Sequence, residues 1–185
     1  MKNNLSTSLK EFKPALRFLL VFIGVYIAGN VIYGVYVEWY KPQPDPVTRW
    51  VTTQSAILLT AFSEPVEAVV RPDYPHVLLT RNNETILSVF EGCNGINVMI
   101  VFASFLIAFG GKAKQILVFL LMGCLILHLV NLLRLTLLYL TAIHRPLFFY
   151  YFHKYFFTAI LYLVVFALWI QWTRMKPKIS APAKA

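Results

Sequence analysis

The sequence predicts an all-α integral membrane protein. It has four transmembrane helices with N- and C-termini cytoplasmic, plus an outer loop with an interfacial helix and a β-hairpin. Three observations lead to this reading. The 185-residue chain is 58% hydrophobic, with a mean hydropathy of +0.64, above the roughly 45–50% apolar share of soluble domains. Several apolar runs approach the ~20 residues of helix that cross a hydrocarbon core. The basic residues behind the net charge of +9 cluster at the ends of those runs, as membrane topology requires. They form no basic face or aromatic-basic module, which argues against nucleic-acid binding. Residues 1–185 read as a single membrane domain.

Residues 1–17 are polar and basic, with Lys2, Lys10, Lys13 and Arg17 against Glu11 alone. The first span follows, from about 16 to 37. It is too long for a signal-peptide core and no small-residue cleavage site comes after it, so it reads as an uncleaved signal anchor. The outer loop, 38–92, changes character. It holds seven of the eight acidic residues and four basic ones, so it belongs on the side away from the basic tails. Lys41 to Pro46 is an extended, helix-breaking stretch. Val47 to Val70 mixes apolar residues with Thr, Gln and Ser; too short to span, it reads as an amphipathic or interfacial helix. Pro72 and Pro75 break it. His76 to Arg81, Asn82-Asn83 and Glu84 to Phe90 then read as a β-hairpin, which delivers the chain into Glu91-Gly92-Cys93.

The second span covers about 94–110, followed by the short basic turn Gly111-Lys112-Ala113-Lys114-Gln115. The third covers 116–143. Residues 144–156 are aromatic-rich, like an interfacial belt. The fourth span covers about 157–172, and the tail carries Arg174, Lys176, Lys178 and Lys184. Ten of the 17 Lys and Arg lie in the two tails and the 111–115 turn. An even number of spans puts all three on one side, the cytoplasmic side by the positive-inside rule.

This topology gathers three polar groups at the outer face. Cys93 lies where the loop meets the second span. Arg134 lies about 28 Å beyond the cytoplasmic turn at 1.5 Å per residue, near the far edge of a ~30 Å core. His153 lies just before the fourth span. Each has a plain alternative. Cys93 fits an inert small residue at a helix start, yet Gly92, Asn94 and Gly95 leave a thiol open, and a helix start lowers a thiol pKa. Arg134 fits snorkelling to headgroups, yet a charge inside a span is unfavourable and points to function. His153 fits an interfacial aromatic. His128, on the face of Asn131 and Arg134, is too deep and reads as a hydrogen-bonded bundle residue; His76 and His144 are weaker candidates. Cys124 reads as packing. It sits mid-span, far from Cys93, so a disulfide between them is not expected. No Cys/His cluster has zinc spacing. Together, a thiolate attacks an amide carbonyl, a guanidinium stabilises the oxyanion or the thiolate, and a histidine moves the proton. That is thiol peptidase or transpeptidase chemistry.

The order Cys, Asn-x-x-Arg, His, each at the outer end of a span, resembles the exosortase/archaeosortase family of membrane-embedded protein-sorting enzymes. Glu91-Gly92-Cys93-Asn94-Gly95 is similar to that family's acidic/small-Cys-Ser/Asn-Gly motif, Asn131-Leu132-Leu133-Arg134-Leu135 to the second motif, and His153 takes the third place. Where large exosortases tend to carry glycine four residues after the histidine, this chain has Phe157. With few spans, it most resembles the exosortase F type of Bacteroidetes. The resemblance implies cleavage of a C-terminal sorting signal on exported proteins: a short motif, a transmembrane helix and a basic cluster. The new carboxyl end passes to water or to a surface acceptor. It implies Cys93 as acyl-enzyme nucleophile, Arg134 as its support, His153 as acid/base, and no metal or organic cofactor. It implies a multi-pass protein of the bacterial cytoplasmic membrane, in contact with membrane lipid, with the site facing the periplasm. Two other classes fit the residues: a non-catalytic membrane subunit binding a partner helix, and a thiol-dependent membrane acyltransferase.

Overall fold

The structure, a computed structural model, describes residues 2–62 and 65–175, with side chains from Phe12 onward. Tail residues Lys176, Lys178 and Lys184, loop residue Glu64, and the side chains of Lys2, Lys10 and Glu11 lie outside the described residues. The architecture is mostly helical with one small sheet. Helix α1 (Lys2–Glu38) leads to α2 (Pro46–Phe62). Strands β1 (Glu67–Val70), β2 (Val77–Arg81) and β3 (Glu84–Val89) follow, then a 3-10 turn, Glu91–Cys93. Helices α3 (Ile96–Phe109) and α4 (Ala113–His144) come next. A 3-10 turn (Pro146–Phe148), the single turn α5 (Phe149–Tyr151) and a π-helical turn (Phe152–Phe156) run into α6 (Phe157–Met175).

Three helices are long and apolar enough to cross a membrane: Phe12–Glu38, Ala113–His144 and Pro146–Met175. Their exposed faces suit lipid. On α1 the exposed Leu16, Leu20, Ile23, Ile27, Val31 and Val35 repeat every three or four residues, one apolar helical stripe. On α4 the exposed Leu117, Leu121, Leu125, Leu129 and Leu133 do the same. The expected second span is the exception. Its helix has 14 residues, roughly 21 Å at 1.5 Å per residue against a ~30 Å core. Phe90 to Gly95, at its start, is turn. The aromatic segment also differs from the expected separate belt. It is helical and continuous with α6, so one candidate span runs from Pro146 to Met175.

The loop between α1 and α3 corrects the sequence reading in one respect. The segment expected as one interfacial helix, Val47 to Val70, is helical only to Phe62, and 67–70 is a strand. Pro65 has no N–H with which to continue a helix. The β-branched Val69 and Val70 suit the strand that follows. Strand β1 pairs antiparallel with β2, Glu67 opposite Thr80, making the expected hairpin a three-stranded sheet of order β1-β2-β3. The hairpin stands where expected. Asn82 and Asn83 have φ of 51° and 65°, both left-handed, as a two-residue type I′ connection requires. Helix α2 is amphipathic as read. Its buried residues Thr48, Val51, Thr52, Ser55, Ala56 and Leu59 recur at helical spacing, and they face α4 and the sheet. Half of that stripe is hydroxylic. Thr52 and Ser55 return their protons to the carbonyls of Thr48 and Val51, at 2.7 and 3.0 Å, so burial strands no donor.

Two cores are stacked along α4. One gathers Val51, Leu59, Leu79, Val89, Cys93, Leu135, Leu138 and Phe157, joining α2 and the sheet to the C-terminal half of α4. The other gathers Phe102, Leu106, Phe119, Leu127, Val165, Leu168 and Trp172, joining α3, α4 and α6. Cys93 belongs to the first core, close to where α3 begins. The sheet presses on α4 because its register is set by the hairpin. Substituting Asn83 by Val, a β-branched residue at positive φ, is therefore expected to cost about 1–2 kcal/mol, while Asn83→Gly is tolerated. Thermal unfolding of the purified protein in detergent reads both. A valine variant as stable as the parent would contradict the left-handed turn.

Candidate active site

The Cys93 turn is built from backbone geometry. Phe90 is extended, and the turn after it closes with the Cys93 N–H donating to the Phe90 carbonyl at 2.8 Å. Gly95 then takes φ +89°, the left-handed region, and a Cβ there would meet the Asn131 side chain at 3.3 Å. A Cβ at Gly92 would lie 2.4 Å from the Phe90 ring. The left-handed φ favours glycine at Gly95, and Gly92 lies close against the Phe90 ring. They do not open the thiol, as the sequence suggested: Cys93 is 3% exposed.

Helix α4 supplies two of the groups around it. Asn131 donates from Nδ2 to the Cys93 carbonyl at 2.9 Å. Arg134, one turn on and on the same face, donates from Nη1 to Asn131 Oδ1 at 3.4 Å. Arg134 is 8% exposed, and its charge bears on the Cys93 thiol. Its Nε has no hydrogen-bond partner among the described residues. The segment before α6 supplies the third group. His153 Nε2 lies 3.7 Å from Cys93 Sγ. The His153 ring is stacked on Phe149, centroids 5.8 Å apart and planes 15° from parallel. It sits in the π-helical turn, where the Phe157 N–H reaches back five residues to the Phe152 carbonyl. The His153 carbonyl accepts instead from the Thr158 hydroxyl, at 3.3 Å. Single π turns of this kind recur at functional sites.

Cys93, Arg134 and His153, far apart in sequence, are thus brought together. The other histidines are elsewhere. His76 Nδ1 lies 2.8 Å from Ser88 Oγ, with Tyr74 and Phe90 rings beside it. His128 donates from Nε2 to Gln54 Oε1 at 2.8 Å and stacks on Trp50, the hydrogen-bonded bundle role read from sequence. His144 is exposed at the end of α4. Both cysteines are free thiols, Cys124 half-buried in α4.

The electrostatics correct a second expectation. Burial pushes the Cys93 thiol above its ordinary value; the Arg134 charge, and hydrogen bonds with the Phe90 backbone and Arg134, oppose the rise, and Glu91 adds to it. Helix α3 starts three residues later, at Ile96, too far for its first turn to favour a thiolate at Cys93. Burial thus favours the neutral thiol beside the imidazole, and the Arg134 guanidinium is the charge that favours a thiolate there.

Sequence reasoning missed a further set of groups. Asn94, 1% exposed, donates from Nδ2 to the Tyr33 hydroxyl at 2.6 Å and to Thr48 Oγ1 at 2.9 Å. Thr48 in turn donates to Asp45 from its N–H and its hydroxyl. The available signal was Asp45-Pro46-Val47-Thr48, an N-cap with proline at the first helical position. Nothing in the sequence marked Tyr33, one aromatic in an apolar run.

The raised thiol pKa fixes a sign. Alkylation of Cys93 by a small neutral reagent should rise with pH and reach half its limiting rate above the midpoint of an ordinary cysteine, about 8.5. Arg134→Gln removes the opposing charge and should move that midpoint higher still. Stopped-time labelling across pH in a Cys124→Ala background measures both. A midpoint below that of free cysteine contradicts the burial account.

A family model described as transmembrane exosortase matches residues 13–170, which takes in α2, the sheet, the Cys93 turn, Arg134 and His153. No curated protein matches the chain, and no solved structure does. The match covers well over half of the 185 residues, and the chain belongs to the transmembrane exosortase family.

Proposed function

We propose that this protein is a membrane-embedded cysteine peptidase or transpeptidase that cleaves C-terminal sorting signals of exported proteins at the outer face of the cytoplasmic membrane. The observation that carries the reading is the 3.7 Å approach of Cys93 Sγ to His153 Nε2 beside a buried Arg134 whose Nε has no hydrogen-bond partner among the described residues. His153 takes the thiol proton as Cys93 attacks the scissile carbonyl. Arg134, always charged, offers the free Nε–H to the oxyanion. Collapse of the tetrahedral adduct breaks the C–N bond, and protonated His153 returns its proton to the leaving amine. A thioester remains on Cys93. Water or an acceptor amine then attacks it, His153 takes the new nucleophile's proton, the C–S bond breaks to release the new acid or amide, and His153 returns the proton to the departing sulfur.

Four crossings, with both termini cytoplasmic and the site periplasmic, complete the proposal. The charge asymmetry supports it, and so does depth. From Ala113 to Asn131, whose amide holds the Cys93 carbonyl, α4 rises roughly 27 Å, just inside the far boundary of a ~30 Å core. Helix α3, with Asn94 and Gly95 before it, makes the second crossing, about 94–110, and leaves Cys93 at its outer entrance. The compact chain is similar to the exosortase F type.

Cys93→Ala is expected to abolish processing and surface delivery of the sorting-signal protein in cells. Arg134→Gln should lower processing roughly 100- to 1000-fold, the loss typical of one oxyanion donor. Processing that persists in Cys93→Ala cells sinks the enzyme reading and leaves a non-catalytic membrane subunit. A second measurement addresses topology. A membrane-impermeant thiol reagent should label a cysteine placed at Asn83 from the periplasmic side of spheroplasts, and labelling only after lysis contradicts the orientation.

A further inference from the structure

The groups behind Asn94 are as directional as those around Cys93. Asp45, 2% exposed, accepts the Thr48 N–H on Oδ1 at 3.0 Å and the Thr48 hydroxyl proton on Oδ2. A carboxylate accepts and cannot donate, so the single Thr48 hydroxyl proton is committed. Thr48 Oγ1 therefore faces Asn94 only as an acceptor. Tyr33 is committed in the same way. Its hydroxyl donates to the Glu91 carbonyl at 3.3 Å, so it too meets Asn94 as an acceptor. Both protons of Asn94 Nδ2 are thereby drawn to one side, and Asn94 Oδ1 accepts the Ile96 N–H at 3.0 Å. Turning the carboxamide over would set its oxygen against two oxygens with no proton to give, and its NH2 against an N–H. In a site this buried those unmade bonds have no solvent to replace them.

Helix capping does not account for the arrangement. Asp45 caps α2 through the Thr48 N–H alone. The Thr48 hydroxyl, fully buried, adds nothing to the cap, and its bridge runs to Asn94 in the residue after the thiol. The geometry points to Thr48, oriented by Asp45, as a positioning residue: it locks the Asn94 carboxamide in the one orientation that holds Cys93 against Arg134 and His153. This rests on the reading of Cys93 as the reacting thiol. Thr48 touches neither the thiol nor any substrate atom; it acts through Asn94.

The test uses the full chain in detergent with Cys124→Ala, so that Cys93 is the sole thiol, and iodoacetamide as the probe. Thr48→Val keeps the shape and removes the hydroxyl. At about pH 8 it should slow alkylation roughly 5- to 10-fold as the thiol drifts from Arg134 and its thiolate fraction falls. Thr48→Ser, which retains the hydroxyl, should return the parent rate-against-pH profile. Adding Arg134→Gln to Thr48→Val should slow the reaction little further, since the contact it removes is already lost. A merely structural threonine would not couple to Arg134 or be rescued by serine. A parent-like profile in Thr48→Val, additive effects with Arg134→Gln, or failure of serine to restore the profile overturns the proposal. If Thr48→Val does not fold, Tyr33→Phe deletes the second acceptor of Asn94 and should shift the profile the same way; an unshifted profile there overturns it equally. These measurements need no peptidase substrate. Failure of the enzyme reading appears separately, as processing that survives Cys93→Ala.

Discussion

The hydrogen bond from the Asn131 amide to the Cys93 carbonyl, 2.9 Å long, is the contact on which the site depends. A non-helical turn inside an apolar bundle exposes backbone groups that neither lipid nor packed side chains can satisfy. Asn131 supplies the missing partner from α4, and Gly95 allows its side chain to come that close. The oxygen of the same carboxamide accepts a hydrogen bond from Arg134 Nη1. One side chain thus ties the Cys93 turn to the helix that carries the guanidinium. Tyr33 from α1 and Thr48 from α2 hold the rest of the turn. The turn is fastened to three helices, and the polar cost of burying it is offset at each.

The position of His153 follows from a different constraint. The chain from Pro146 is helical, but a regular α-helix would not carry the bond from the Phe157 N–H to the Phe152 carbonyl. The π turn over Phe152–Phe156 inserts the extra residue. Phe157 packs into the first core with Leu135, Leu138 and Tyr139, and the ring of His153 is held on Phe149 while its Nε2 points at sulfur. The phenylalanine found four residues after His153, where large exosortases tend to have glycine, is a core residue here, 4% exposed.

Burial then sets the chemistry. Burial in the closed site disfavours the Cys93 thiolate, and the same exclusion of water strengthens the Arg134 field on any charge that forms there.

Much of this was legible in the chain itself. Long apolar runs, the placement of Lys and Arg, the Asn82-Asn83 turn and the isolated polar residues Cys93, Arg134 and His153 all announce themselves, because each is a local mismatch with its surroundings. The sequence determined that the protein is a mostly helical membrane protein with those three groups in it, and its motifs pointed to the family. What it left undecided are properties of approach. The strand at Glu67–Val70 exists because β2 offers it a partner. The thiol pKa is raised because α2, the sheet and α4 close over a residue that local pattern would place at an open helix start. Asp45, Thr48 and Tyr33 bear on Asn94 across 46 to 61 residues of sequence. Hydrogen bonds of that separation leave no periodicity behind, so only the tertiary structure decided them.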